Sequence, residues 1–98
     1  LLNEVYPILI NFPKAEKFAL SQEIKQAFYQ LLKCIVLANN VKSKRRVYQE
    51  EADGYIKLLL VLFGIAKKQK YLSKKKHLQI QMKLAEIGRI LGGWMRST

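Results

Sequence analysis

Lys42, Lys44, Arg45 and Arg46 form one basic run without an acid, and Lys67, Lys68, Lys70, Lys74, Lys75 and Lys76 form another. Together they hold ten of the 18 basic residues in a 98-residue chain whose formal net charge is +11. Outside the two runs, the remaining basic residues nearly balance the seven acidic ones. The excess charge is therefore concentrated at two places. Closely spaced cations attract polyanions and release their condensed counterions on binding. Lysine dominates both runs, and lysine offers a point charge to a phosphate rather than a fork to a base edge. The chemistry expected is salt-sensitive phosphate contact with weak sequence preference. Tyr71, beside the second run, offers a ring for base stacking or for packing at a helix boundary. No zinc-finger, homeodomain or RNA-recognition-motif pattern is present.

Catalytic chemistry has little to work with. His77 is the single histidine and follows a lysine run, with no metal-ligand partner spaced near it. Cys34 lies beside an apolar stripe and reads as a small buried hydrophobe. As the single cysteine it allows no intrachain disulfide, in keeping with a reducing, cytoplasmic setting. Glu50, Glu51 and Asp53 sit near a helix start, where they would favour the dipole and pair with the adjacent basic run. The Glu-x-x-His pattern of bundle metal sites is missing. Gly92-Gly93 follows a helix rather than a strand, so it is no phosphate loop. The expectation is a protein that is not an enzyme and has no cofactor or metal.

The elements that must carry the basic runs are helical. Half of the residues are hydrophobic, and two prolines and five glycines interrupt the chain, a composition that favours helix in a single domain spanning residues 1–98. Four helices are predicted. The first covers residues 3–12 and stops at Pro13. The second covers 18–39, with Ile24, Phe28, Leu31, Ile35 and Ala38 on one stripe. Asn39-Asn40 ends it, and Ser43 is the expected N-cap of the third helix, 44–70, whose stripe is Tyr48, Ala52, Tyr55, Leu59, Leu62 and Ala66. Ser73 caps the fourth, which runs to residue 95 on Ile80, Leu84, Ile87, Leu91 and Trp94, widened by Leu78, Met82 and Ala85. Alternating four-three spacing and short corners give an all-α, up-down-up-down antiparallel four-helix bundle. Its first helix is much shorter than its partners, and the chain starts with Leu1, so that helix is expected to be truncated at the N-terminus.

This topology puts the 42–46 run at one pole and the 67–76 run at the other, joined there by Lys14 and Lys17. Residues 58–65 are apolar nearly all round. Leu60 and Val61 continue the outward line of Asp53, Lys57, Gly64 and Lys68, which suggests an intersubunit surface or a wide core contact. The longest apolar run, residues 58–66, is about half of the roughly 20 residues that span a bilayer, so no membrane insertion is expected.

The ending Glu86-Ile87-Gly88-Arg89-Ile90-Leu91-Gly92-Gly93-Trp94, read with Tyr6-Pro7 and Phe12-Pro13-Lys14, resembles the accessory variability determinant (Avd) proteins of diversity-generating retroelements. These are four-helix bundles related to the proteins encoded in 23S ribosomal RNA intervening sequences. The resemblance covers nearly the whole chain, and the terminal segment is its specific part. It implies a homo-oligomer, a pentamer, with a basic surface. It also implies a nonenzymatic role beside a retroelement reverse transcriptase, binding that enzyme and the template RNA or its cDNA to support mutagenic retrohoming. By the same resemblance, Lys57 is a candidate contact to the transcriptase or nucleic acid, and Arg89 and Trp94 match the terminal motif. Ser21 departs from the glycine common in relatives. Gly88 and Gly92, four apart, would let another backbone approach; Gly92-Gly93 would equally serve as a helix cap. Two rivals stand beside this reading: a bundle of the intervening-sequence type acting as a protein-interaction or structural module, and a membrane-surface protein. The latter ranks last because the basic residues cluster at corners rather than along one helix face.

Overall fold

The computed structural model describes residues 17–98, which form three helices of 24 residues each: α1, Lys17–Asn40; α2, Arg45–Lys68; and α3, Lys74–Ser97. A 3₁₀ turn, Lys42–Lys44, separates α1 from α2. No strand occurs among the described residues. These helices are the second to fourth of the sequence reading, with ends shifted by one or two residues. The expected first helix and its Pro13 corner lie outside the described residues, as do Lys14, Tyr6-Pro7 and Phe12.

Both prolines precede Lys17, so nothing within α1–α3 breaks the hydrogen-bond ladder. Cross-helix pairs fix the directions. On α1 and α2, Phe28 meets Phe63 and Cys34 meets Glu51, one number rising as the other falls. Arg46 and Gln49 of α2 reach Met95 and Thr98 at the end of α3. Each neighbouring pair is thus antiparallel. The central helix, α2, packs on both α1 and α3.

The core follows the four-three spacing. Ile24, Ala27, Phe28, Leu31, Cys34 and Ala38 are buried on α1, and Ile80, Leu84 and Leu91 on α3. The Phe28 and Phe63 rings meet edge to face, 6.1 Å between centroids. On α2 the buried line is Ala52, Ile56, Leu59, Leu62, Phe63 and Ala66. It is rotated from the predicted stripe: Tyr48 and Tyr55 are half-buried at its rim, while Ile56 and Phe63 replace them at the centre. A helix with partners on two sides buries a wider arc than one four-three line.

Two further expectations, the breadth of the α3 core face and the N-cap of α2, are corrected. Leu78 and Met82 do not widen the α3 core face; they are 56 % and 65 % exposed, and Ala85 is exposed as well. Leu60 is half-buried against the core, whereas Val61 is 59 % exposed together with Leu58 and Ile65. The all-round apolar stretch is therefore a core arc plus a true outer line. Ser43 does not cap α2: it lies inside the 3₁₀ turn, and the N-cap position is Lys44, without a side-chain cap. Ser73 does cap α3, accepting a hydrogen bond from the Lys76 N–H at 3.1 Å. None of the described helices is long and apolar enough to cross a membrane.

Candidate nucleic-acid interface

The antiparallel packing gathers three helix ends at each pole. At the first pole, α1 and α3 end and α2 begins. Arg45 donates from Nε to the Ala38 carbonyl at 2.8 Å and from Nη2 to the Asn39 carbonyl at 3.2 Å. Arg46 donates from Nη1 to the Met95 carbonyl at 3.2 Å. Both arginines stand at the N-terminus of α2, where positive charge is unfavourable, yet they answer the C-terminal carbonyls of the neighbouring helices, where it is favourable. The guanidinium of Arg45 also lies 5.9 Å from the centre of the Trp94 ring. Trp94 is half-buried on the core, so the terminal motif meets the basic run at this pole. Lys42 and Lys44 remain exposed and point-like.

The expected partners of this run were Glu50, Glu51 and Asp53. The structure pairs two of the three elsewhere: Asp53 bonds Lys57 one turn along α2, and Glu51 accepts from the Cys34 thiol at 3.9 Å. Burial first, and then the Glu51 charge, pushes that thiol above its ordinary value, so Cys34 stays protonated and unreactive.

At the opposite pole α2 ends and α3 begins. The Tyr71 N–H reaches the Ala66 carbonyl and the Lys70 N–H the Lys67 carbonyl, each at 2.9 Å. This is a Schellman closure with Lys70, at φ 65°, in the left-handed position that glycine usually fills. Lys67, Lys68, Lys74, Lys75 and Lys76 are all exposed around it. Lys17 joins them, its Nζ 3.9 Å above the centre of the Tyr71 ring. Tyr71 is itself half-buried against the core, so the cation covers a ring that packs. His77 is buried below this cluster, its Nε2 without a hydrogen-bond partner among the described residues. Burial, then the Lys67 charge, lowers its pKa below the ordinary 6.5 and keeps it neutral.

The poles are a helix apart, about 36 Å at 1.5 Å per residue. The structure thus unites each run at its own pole and keeps the two separate. Lys57 and Arg89 sit between them, each engaged with a neighbouring acid: Lys57 with Asp53, and Arg89 in a two-pronged pair with Glu86 at 3.0 and 2.5 Å. That pairing lowers the Glu86 pKa and raises that of Arg89. Among the described residues no group of three or more His, Cys, Asp or Glu side chains could hold a metal ion. Sequence reasoning missed Gln49, which is fully buried at the first pole. A polar residue beside a basic run gives no burial signal until the helix rotation is known.

The profile of the bAvd-like family matches residues 1–98. The chain belongs to the bAvd-like family. No curated protein and no solved structure matches it. For this bAvd-like chain the terminal glycines acquire a position: a Cβ on Gly88 would meet nothing within 4 Å, and one on Gly92 would touch only the Arg96 side chain at 3.4 Å. Neither glycine is held against another backbone among the described residues.

Proposed function

We propose that this chain is a nonenzymatic accessory protein of a diversity-generating retroelement, a four-helix bundle that assembles as a homo-oligomer, a pentamer. In this reading it binds the retroelement reverse transcriptase and its template RNA or cDNA, supporting mutagenic retrohoming in the cytoplasm. Membership of the bAvd-like family supports the role. The observation that carries the nucleic-acid part is the pair of separated basic poles. Lys70 adds weight, because lysine occupies a left-handed position where glycine would be cheaper. Phosphates would meet Lys42 and Lys44 at one pole and Lys67, Lys68, Lys70, Lys74, Lys75 and Lys76 at the other. Repeated around an oligomer, each pole becomes a ring. Lys57, Arg89, Trp94 and the Leu60–Val61 surface are the proposed partner contacts.

A salt titration tests the phosphate contacts. Log affinity for single-stranded RNA or DNA should fall linearly with log salt, by about 0.7 per phosphate neutralised. Replacing Lys74, Lys75 and Lys76 with glutamine should flatten that slope by about two. Absence of binding at low salt would remove the mechanism. It would leave the second reading, an interaction module of the intervening-sequence type, which the exposed Leu58, Val61 and Ile65 favour.

A further inference from the structure

The first pole holds a pocket lined by Lys42, Ser43, Arg45, Arg46, Gln49 and Thr98. It opens at the N-terminus of α2, which has neither a side-chain cap nor an acid in its first turn. A helix start carries partial positive charge, although here the Arg45 N–H is already bonded to the Lys42 carbonyl and the Lys44 N–H to the Val41 carbonyl. Lys42 and Arg46 add full charges. The pocket is therefore built for an anion, but it contains one group that an anion cannot satisfy. Gln49 is 0 % exposed, and its Oε1 has no hydrogen-bond partner among the described residues. Its Nε2 donates to the Thr98 Oγ1 at 3.4 Å, and that hydroxyl is in turn placed to donate to the Trp94 carbonyl at 3.0 Å. In this arrangement the amide presents Nε2 to Thr98 and leaves Oε1 as an acceptor without a partner among the described residues. Buried acceptors are nearly always paired, so Oε1 calls for a donor.

We infer that this pocket is a ribose-selecting subsite, taking one backbone phosphate of RNA together with the neighbouring 2′-hydroxyl. The two groups lie side by side on every ribonucleotide. The phosphate answers Lys42, Arg46 and the α2 N-terminus; the hydroxyl donates to Gln49 Oε1. DNA supplies the phosphate and lacks the donor. Oε1 is closed to water in the empty pocket. The exposed Lys42 side chain also lines the pocket, and such a side chain changes rotamer within nanoseconds, which gives a ligand its way in. The inference rests on the nucleic-acid reading above and adds to it a preference for the template RNA over its cDNA.

The test compares three labelled single strands of one sequence, about 12 nucleotides long, by fluorescence anisotropy at low salt: RNA, DNA and 2′-O-methyl RNA. The methylated strand keeps the ribose oxygen but cannot donate. RNA should bind roughly three- to ten-fold more tightly than DNA, the worth of one ordinary hydrogen bond. The 2′-O-methyl strand should bind like DNA. Gln49→Met, checked for folding by circular dichroism, should erase the preference, so that RNA and DNA bind alike. Equal binding of RNA and DNA overturns the inference while leaving phosphate contact intact, and so does a methylated strand that binds like RNA. A preference that survives in a folded Gln49→Met protein also overturns it. Binding of none of the three strands overturns this inference and the nucleic-acid reading together. The wild-type comparison decides even if the variant fails to fold.

Discussion

Lys70 carries a backbone cost that the proposed phosphate contact would explain. A left-handed conformation costs a non-glycine residue about 1 kcal/mol. Lys70→Gly is therefore expected to stabilise the fold by about 1 kcal/mol, read as a higher urea midpoint at unchanged slope. The same variant loses a charge from its pole, so RNA affinity should fall and its salt dependence should weaken. A variant that is both more stable and equally good at binding would make Lys70 an ordinary surface residue. His77 gives a second expectation at this scale. Its folded-state pKa lies below the ordinary 6.5, through burial and the Lys67 charge. Between the two values the unfolded chain holds the proton and the folded chain does not, so acid favours unfolding. Stability should be full above about pH 6.5, decline as pH falls through the window beneath it, and level off once the folded histidine also takes its proton. Thermal melts from pH 7.5 to 5 should show this decline, and His77→Gln should flatten it. Neither Lys70 nor His77 announced its state in the sequence. A lysine in a lysine run carries no mark of a positive φ, and the orphaned Nε2 depends on how α2 and α3 pack.

At the scale of elements, the basic run before α2 divides into two kinds of residue. Arg45 ties the end of α1 to the start of α2 through two carbonyls and lies over Trp94 of α3. Lys44 is exposed and has no side-chain cap role. Arg45→Ala should cost about 1–2 kcal/mol, the lower part of the range for charged hydrogen bonds because the group is partly exposed. Lys44→Ala should leave stability within about 0.5 kcal/mol and weaken nucleic-acid binding. Urea denaturation of the two variants side by side separates the roles; equal costs would mean that the carbonyl bonds contribute nothing. This division explains what was readable beforehand. Charge content, helix order and the α1 stripe follow from residue type and a 3.6 period, and all were legible. The rotation of α2 was not, because residues 58–65 are apolar on every side and leave the period with nothing to detect. The error then spread: with Tyr55 on the core line in place of Ile56, Gln49 had no reason to be inside. The α3 face was overdrawn for a related reason. Leu78 and Met82 fit a helical spacing, and spacing cannot tell a core face from a face reserved for another molecule.

For the whole molecule, the outer apolar lines must be accounted for together. Leu58, Val61 and Ile65 on α2 are exposed at one helical spacing, and Phe18, Tyr29, Leu32 and Val36 are exposed on α1. Scattered apolar residues on a surface need no explanation, but aligned ones mark a contact. Gly54 lies on the same outer side of α2, and a Cβ there would meet nothing within 4 Å. A helix-interior glycine with open space costs about 1 kcal/mol relative to alanine, and no close approach among the described residues calls for one at Gly54. That cost is intelligible if a second copy packs against α2. Val61→Asp then places a charge in a desolvated interface, and should convert the assembly to monomers by multi-angle light scattering. Its effect on the folding of each bundle should be small, because Val61 is 59 % exposed and leaves the core untouched. On the proposed function, loss of the proposed ring should also weaken RNA binding far more than any single lysine does, since many weak phosphate contacts act as one only while the copies are joined. A Val61→Asp protein that scatters as the wild type does would free this surface for the transcriptase instead.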